Sequence, residues 1–402
     1  MSSVEVMNGN RAAGTAACLV RPDVVAAYPI TPQSSVVEFI SRAISDGKLD
    51  ALISEVESEH SAMSVLEGAA LGGARTFSAT SSQGLALMYE PYFRASTLRL
   101  PIVMAIANRE MISPQTLWAS AQDSLSVRDA GWIQYYVENN QEILDTILQA
   151  YRVAEDRRVL LPINVCYDGF YLSHMSEKVI VPDQSEVDAF LPECYEPQHI
   201  YLDPSRPMAV DPLTNGHLLM EYRQKHLEAH QQALAVIEDV DHKFDEHFGR
   251  HWDGAVEAYR MAEETEAVIL TLGSMTGAAR EAVDRLREEG LPVGLVKVRV
   301  VRPFPRIELR KLLSGVRAIG VIDRNVCFGW NTGIIYQETL AAISSLSGVT
   351  CQPFIAGLGG EDITVEMVEG AVRAVYALLQ EKSGPLERET VWLFSSEEGG
   401  CQ

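Results

Sequence analysis

Four short segments of the chain combine a turn with side chains that could bind an anion or transfer a proton. They are residues 28–32 (YPITP), 57–62 (ESEHSA), 81–84 (SSQG) and 108–109 (NR). Each segment follows an apolar run that is typical of a buried strand. Because parallel strands end at one edge of their sheet, the four segments are expected to meet there. The sequence therefore predicts an active site built from loops at the carboxyl edge of a sheet.

The strands that must position these loops are evident in the first 180 residues. Strands are predicted over residues 24–28, 52–56, 76–80, 101–108 and 160–168, and helices over residues 34–43 and 60–72. The runs PIVMAIAN and LLPINVCYD are continuously apolar, as expected of strands that are buried on both faces of a parallel sheet. Strands that alternate with helices predict an α/β domain over residues 1–180.

Regular structure weakens over residues 181–262, where prolines are frequent and a long polar helix is predicted at 218–246. His226 and His230 have the i, i+4 spacing of a metal site, but no carboxylate base is placed as in HExxH. We therefore favour a solvated helix that bridges two domains. A second α/β domain is predicted over residues 263–385 and a tail over 386–402. Its strands are expected at 267–272, 293–301 and 318–323, and its helices at 276–289 and 332–344.

The charge balance limits the classes of partner. The formal net charge of −22 repels nucleic acid and anionic lipid. No apolar run approaches the roughly 20 residues that cross a bilayer, and the N-terminus lacks a basic stretch followed by an apolar one. We expect a cytoplasmic protein whose acidic residues form solvated helix faces; attraction of a basic partner subunit is the alternative.

The cysteines do not form a metal-binding pattern. No CxxC pair occurs, whereas zinc and iron–sulfur sites draw on closely spaced ligands. We expect free, buried thiols and no metal site on this chain. The six positions are Cys18, Cys166, Cys194, Cys327, Cys351 and Cys401.

Seven segments in register resemble one family, the alpha subunits of the pyruvate:ferredoxin and related 2-oxoacid oxidoreductases. They are YPITP, SEHSA, SSQG, RDAGWIQYYVENNQE, DGFYLSH, RPFP and GLGGEDIT. The resemblance covers nearly the whole chain. It implies a thiamine-diphosphate-binding-type parallel-sheet domain, followed by an α/β domain like the C-terminal domain of transketolase.

The resemblance also implies roles for individual residues. Thiamine diphosphate is activated by a carboxyl group that is hydrogen-bonded to its pyrimidine ring in a dry site, and Glu59 matches the family glutamate. Arg109 matches the arginine that faces the substrate carboxylate, and Thr31 the threonine that donates a hydrogen bond to it. Gln83 and Pro29 are expected to line the cofactor pocket.

Each of these residues also has a structural interpretation. Glu59 could be a first-turn acid favoured by the helix dipole, and Glu55 and Glu57 are its rivals for the catalytic role. Arg109 could form an ion pair with Glu110 or Glu138. Thr31 could cap a helix whose first residue is Pro32.

Missing motifs point to other subunits. Thiamine enzymes hold the diphosphate through a divalent metal bound by a GDG…NN segment, and this sequence contains no GDG. The resemblance then implies a beta subunit with GDG…NN, magnesium and an iron–sulfur cluster, and gamma and ferredoxin-like delta subunits. An NAD-binding flavoprotein could join them. Coenzyme A is the expected co-substrate, with the turn at residues 273–277 (GSMTG) as its candidate site; a plain strand–helix turn is the preferred interpretation.

Substrate choice is expected to depend on the segment after Arg109. Many relatives have a stretch like WGDHSD where this chain has Trp118 to Asp123 (WASAQD). Ser120 and Ala121 replace an acid and an imidazole, which predicts a roomier, less polar pocket for an aromatic 2-oxoacid such as phenylglyoxylate, narrowly ahead of pyruvate. Two other functions stay open. They are a non-oxidative thiamine enzyme and a non-catalytic assembly or acceptor-docking subunit.

Overall fold

The computed structural model describes residues 2–191, 200–380 and 386–395. Cys194, Cys401 and the part of the predicted tail from residue 396 lie outside the described residues. Within them the remaining four cysteines are free, with Cys166 and Cys351 buried and Cys18 and Cys327 half-buried. No helix of the described part of the chain is long and apolar enough to cross a membrane.

Eight strands and nine helices precede residue 192. The strands are β1 (Ser3–Asn8), β2 (Val24–Ala27), β3 (Leu52–Glu55), β4 (Thr76–Thr80), β5 (Val103–Asn108), β6 (Ile133–Tyr136), β7 (Ile163–Asp168) and β8 (Ser176–Val181). The helices are α1 (Gly9–Val20), α2 (Ser34–Ser45), α3 (Glu59–Leu71), α4 (Ser82–Leu87), α5 (Tyr89–Thr97), α6 (Gln122–Ser126), α7 (Asn140–Ala154), α8 (Tyr171–His174) and α9 (Gln184–Phe190).

The second half of the chain begins with one long helix. Its helices are α10 (Gly216–Phe248), α11 (Met275–Glu288), α12 (Arg306–Leu312), α13 (Ile334–Ile343) and α14 (Val365–Ala377), with 3₁₀ turns at Leu358–Gly360 and Leu378–Gln380. Its strands are β9 (Val256–Tyr259), β10 (Ala267–Thr271), β11 (Val293–Val298), β12 (Val300–Arg302), β13 (Ala318–Asp323), β14 (Thr350–Ala356) and β15 (Val391–Leu393).

The described strands form two large sheets. The first has the order β12-β6-β7-β5-β4-β2-β3 and is parallel except for β12. The second has the order β15-β14-β13-β10-β11-β9 and is parallel except for β9. Every residue of β5 and β7 is buried, which explains their unbroken apolar sequences. The predicted α/β class with two parallel-sheet domains is therefore confirmed.

Strands cross the predicted domain boundaries. β12 belongs by sequence to the C-terminal domain, yet it pairs antiparallel with β6 of the first sheet. β9, within the predicted linker, and β15, within the predicted tail, both extend the second sheet. A short antiparallel ribbon of β1 and β8 was not predicted. Pairing between distant strands leaves no local pattern in sequence, so the sequence alone did not predict these strand pairs.

The long helix α10 matches the prediction within two residues at each end, but it is not solvated all round. It buries one face, formed by residues such as Ala233, Val236, Val240 and Phe244, in the core of the first domain. His226 and His230 stack on each other, and each has a ring nitrogen close to the Gly131 carbonyl oxygen. Among the described residues, no group of three or more His, Cys, Asp or Glu side chains could hold a metal ion.

Candidate active site

Four neighbouring strands of the first sheet bring the predicted residues to one edge. In the order β5-β4-β2-β3, the parallel strands end next to Arg109, Gln83, Thr31 and Glu59 respectively. The carboxyl edge of such a sheet is where ligands bind in α/β proteins. The fold therefore gathers the four predicted loops in one region.

Arg109 joins two of the other loops. Its Nη1 donates to the carbonyl oxygen of Thr31 at 2.7 Å, and its Nη2 donates to Oε1 of Gln83 at 2.6 Å. The residue is only 5% exposed, and its Nε is buried without a hydrogen-bond acceptor. Burial lowers the pKa of its guanidinium group. A buried cation in this state is costly unless an anion approaches it.

The alternative ion pairs of Arg109 do not form. Glu138 instead pairs with Arg280 and Lys297, and Glu110 accepts a hydrogen bond from the Met111 amide. No salt bridge of Arg109 occurs within the described ranges. The guanidinium group is therefore held by two neutral acceptors and is left without a carboxylate partner.

The loop of Thr31 is braced from behind. Gln33, and not Thr31, is the N-cap residue of α2, so the helix-cap interpretation of Thr31 is wrong. The Asn10 side chain donates to the Pro32 carbonyl oxygen at 2.6 Å, and the Gln33 side chain donates to that of Tyr28 at 3.1 Å. The side chains of Thr31 and Pro29 are exposed, which leaves the Thr31 hydroxyl free to meet a ligand.

Glu59 is buried, whereas the two alternative candidates for the catalytic role are exposed. Glu55 and Glu57 are exposed, and the Ser61 hydroxyl lowers the pKa of Glu57 by donating to its carboxylate. Glu59 is 5% exposed, and burial raises the pKa of its carboxyl group. A buried carboxyl group with a raised pKa at a sheet edge is a common feature of acid–base sites.

The surroundings of Glu59 leave its carboxyl group available. Among the described residues, no other side chain donates a hydrogen bond to it, although its own backbone amide does. Gly84 packs directly against it, since a Cβ atom there would lie 2.7 Å from Glu59 Oε1 and 2.4 Å from Thr80 Oγ1. The Thr80 hydroxyl is itself buried without a partner. These unsatisfied polar atoms fit the pyrimidine ring of a thiamine cofactor, which offers ring nitrogens and an amino group.

Ser120 and Ala121, predicted to line the substrate pocket, lie against the C-terminal domain. Both are buried, and both contact the backbone carbonyl oxygen of Arg324 in the C-terminal domain, through the Ser120 hydroxyl at 3.2 Å and the Ala121 amide at 2.9 Å. They therefore form part of the contact between domains and have no free surface for a substrate. Their small size is explained by this close approach of two backbones.

A partly exposed aromatic cluster near the site was not predicted. The Phe170 ring lies 4.4 Å from that of Trp118 and 4.7 Å from that of His174, between centroids. Phe170 has a φ of 60°, which is rare for a bulky residue, and Trp118 is 52% exposed. A sequence signal for it was the Asp168–Gly169 pair, which begins at the last residue of β7 and directly precedes Phe170.

The turn at residues 273–277 already binds an anionic side chain of the protein itself. The carboxylate of Asp168 accepts hydrogen bonds from the Ser274 amide, at 3.3 Å, and from the Ser274 hydroxyl. Arg324 completes this group by an ion pair of 2.9 Å with Asp168. The turn is therefore a strand–helix connection that holds the two domains together, as the preferred interpretation expected, and we withdraw it as a coenzyme A site.

Two family models match the chain. The model described as pyruvate flavodoxin/ferredoxin oxidoreductase, thiamine diphosphate-binding, matches residues 15–242. The model of the pyruvate:ferredoxin oxidoreductase core domain II matches residues 265–368. The second match begins two residues before β10 and covers four strands of the second sheet, β10, β11, β13 and β14, but not β9 or β15.

Individual relatives cover almost all of the chain. It is 48% identical over 397 residues to the alpha subunit of NADH-dependent phenylglyoxylate dehydrogenase from Aromatoleum evansii, with 97% of this chain and 94% of that protein aligned. It is 46% identical over 376 residues to the pyruvate synthase subunit PorA of Methanocaldococcus jannaschii, with 93% and 95% aligned.

Solved structures share the fold. The 2-oxoglutarate:ferredoxin oxidoreductase from Magnetococcus marinus, with 2-oxoglutarate, coenzyme A and succinyl-CoA bound, superposes with a TM-score of 0.73 at 19% identity. The match covers 93% of this chain but 65% of that one, so this chain spans about two thirds of the larger protein. A split-gene transketolase matches with a TM-score of 0.54 at 14% identity.

Proposed function

The chain belongs to the pyruvate flavodoxin/ferredoxin oxidoreductase family as a 2-oxoacid oxidoreductase alpha subunit, and we propose that it supplies the pyrimidine half of a thiamine-diphosphate site. One observation carries this proposal. The buried Glu59 carboxyl group, with its raised pKa, receives no hydrogen bond from another side chain of the described residues and packs directly against Gly84, where a Cβ atom would lie 2.7 Å from its Oε1.

Different residues of the chain are assigned to the cofactor and to the substrate. When bound, thiamine diphosphate supplies a nucleophilic carbon and an electron sink for the decarboxylation of a 2-oxoacid. Glu59 holds a proton against the pyrimidine ring, and its dry surroundings keep that hydrogen bond strong. Arg109 pairs with the substrate carboxylate, the Thr31 hydroxyl donates to the substrate, and Gln83 and Pro29 line the cofactor pocket.

We propose an aromatic 2-oxoacid such as phenylglyoxylate as the substrate, with transfer of the acyl group to coenzyme A. The support is no longer Ser120 and Ala121, which are buried. It is the exposed apolar surface of Trp118 and Ile112, in the loop that follows Arg109, together with the 48% identity to a phenylglyoxylate dehydrogenase subunit. Pyruvate is the second candidate, since a pyruvate synthase subunit is 46% identical.

Partner subunits are part of the same proposal. The chain has no GDG sequence, so magnesium and the diphosphate are assigned to a beta subunit with a GDG…NN segment, which also carries an iron–sulfur cluster. Gamma and ferredoxin-like delta subunits, or an NAD-binding flavoprotein, take up the electrons. Exposed Trp118 and Tyr171 at the carboxyl edge of the first sheet fit a surface that a partner covers.

The test is a Glu59→Gln substitution in the complex reconstituted with its partner subunits. We expect 2-oxoacid-dependent acceptor reduction to fall by about 10² to 10⁴-fold, the usual contribution of a positioned acid–base group. Glu57→Gln, at an exposed neighbour, should leave turnover unchanged. Full activity of the Glu59 variant would favour the non-catalytic assembly function instead. Comparing kcat/KM for phenylglyoxylate and pyruvate in the unmodified complex decides the substrate; a strong preference for pyruvate would contradict the aromatic proposal.

A further inference from the structure

One buried carboxylate connects the two loops whose side chains meet at the site. Asp123, in α6, is completely buried. Its Oδ2 accepts hydrogen bonds from the backbone amides of Ser82, at 2.8 Å, and of Arg109, at 2.9 Å. Its Oδ1 accepts from the Asn108 side chain and the Ser124 amide, both at 2.8 Å. All four partners are donors, so both oxygens must be acceptors.

These donors lie next to the residues that bind ligands in the proposed function. Ser82 immediately precedes Gln83, and Asn108 is the last residue of β5, directly before Arg109. The same two loops meet again where Arg109 Nη2 donates to Gln83 Oε1. Ser82 has a φ of 44°, an unfavourable conformation for a residue with a side chain. Two hydrogen bonds hold Ser82 in this conformation. Its amide donates to the Asp123 carboxylate, and its hydroxyl donates to the Glu110 carbonyl oxygen at 2.7 Å.

We propose that Asp123 is the positioning residue of the substrate-binding arginine. It does not touch the substrate. It fixes the backbone of Arg109 relative to that of Ser82, so that the guanidinium group meets Gln83 and presents its free donor to the 2-oxoacid carboxylate. This inference rests on the proposed function of Arg109. A shift of this group by about an ångström would be enough to weaken binding strongly.

An amide cannot replace the carboxylate. Asparagine has one acceptor oxygen and one NH₂ group, so in either orientation two of the four donors would face another donor. Protonation of the Asp123 carboxylate has a similar effect, because the protonated oxygen becomes a donor that faces another donor. Burial raises the pKa of Asp123 to about 7. Burial also raises the pKa values of the facing groups Tyr136, on β6, and Cys166, on β7, well above their usual ranges. Arg109, on the third neighbouring element, stays cationic at this pH.

The C-terminal domain offers a matched control. Asp323 is also completely buried at a strand end. Its carboxylate oxygens accept hydrogen bonds from three N–H donors, which are the Ile335 and Tyr336 amides and the Asn325 side chain. Asp323→Asn and Asp123→Asn therefore remove the same kind of interaction, and both should lower the stability of the chain. Only Asp123 contacts the backbone of the proposed substrate-binding residue.

The experiment compares the two variants in the reconstituted complex. We expect Asp123→Asn to raise the KM for the 2-oxoacid about ten-fold or more, with the affinity for thiamine diphosphate unchanged, and Asp323→Asn to leave KM within about two-fold. In the unmodified complex KM should rise as the pH falls from 8 to 6, and this dependence should be absent in Asp123→Asn. An unchanged KM in Asp123→Asn, or an equal rise in both variants, would overturn the proposal.

A milder variant covers the case in which Asp123→Asn does not fold. Asn108→Ala removes one of the four donors and should raise KM by about three-fold; an unchanged KM in a folded Asn108→Ala complex would also overturn the proposal. Failure of the proposed function looks different. In that case the unmodified complex would not turn over any 2-oxoacid, or the Glu59→Gln complex would stay fully active.

Discussion

Two nearly buried ionisable side chains of the candidate site, Glu59 and Arg109, form no ion pair among the described residues. Glu59 receives no side-chain hydrogen bond within the described residues, and Arg109 forms no salt bridge there. Several other buried charges of the described chain form ion pairs, as Arg75 does with Glu155 at 2.7 Å. Since an unpaired buried charge lowers stability, a ligand that supplies the missing partner should bind here and stabilise the chain.

Gly84 gives a prediction at this scale. A Cβ atom at this position would clash with the Thr80 hydroxyl and the Glu59 carboxyl group, so Gly84→Ala must displace Glu59. We expect at least about a ten-fold loss of 2-oxoacid turnover, measured in the reconstituted complex. Unchanged turnover would show that the position of Glu59 is not critical.

The control for this substitution is Gly68→Ala in α3. No atom lies within 4 Å of a Cβ built there, so the added methyl group has space. Replacing a glycine inside a helix by alanine should raise the free energy of unfolding by about 0.5–1 kcal/mol and leave turnover unaltered. A comparable loss of activity in both variants would point to a general effect on folding.

Helices and strands show what could be predicted from the sequence and why the rest could not. The segment Thr76–Thr80 was predicted to the residue, and the carboxyl-edge rule was enough to bring Glu59, Gln83 and Arg109 to one region. The burial of Ser120 depends on the backbone of Arg324, 204 residues further along the chain. No local pattern contains that information.

Helix α10 is attached to the first domain by a pair of histidines that burial keeps neutral. Burial, together with the neighbouring His226, lowers the pKa of His230 from its usual value near 6.5 to about 4. Between these two pH values the unfolded chain binds more protons than the folded chain. Stability is therefore fully present above about pH 6.5 and is lost as the pH falls towards 4.

We expect the titration of His230 to be visible in how the free energy of unfolding falls as the pH is lowered. Between pH 7 and 5 the free energy of unfolding should fall by about 2 kcal/mol more in the unmodified chain than in His230→Gln, which keeps a donor for the Gly131 carbonyl. Urea unfolding at each pH measures the difference. His217→Gln, at an exposed position of the same helix, should behave like the unmodified chain. If the free energy of unfolding falls by the same amount between pH 7 and 5 in all three proteins, His230 makes no contribution to this loss of stability.

At the scale of the whole molecule, a buried ionic network joins the two domains. Glu142 of α7 contacts Lys297 at 2.8 Å and Arg299 at 2.7 Å, and all three side chains are buried. Although burial alone would raise it, the two cations hold the pKa of Glu142 below its usual value. Arg299 also donates to the side chains of Thr146 and Gln149 on the same helix.

Removing the central carboxylate should destabilise the chain strongly. Glu142→Gln leaves two cations buried with one fewer counter-ion, which costs about 3–5 kcal/mol in the free energy of unfolding. Urea unfolding at neutral pH measures it. Glu281→Gln breaks an exposed pair with Arg285 and should change stability by less than about 1 kcal/mol. An equally small effect of Glu142→Gln would show that solvent reaches the network.

Strand β12 limits how this protein can be dissected. Because β12 pairs with β6, a fragment that stops at residue 262 would lack the strand that covers one edge of its own sheet. Open strand edges promote association with other chains, so such a fragment is expected to aggregate. Recombination between relatives faces the same limit: a crossover between the two matched family regions would separate β6 from the β12 strand of the same chain.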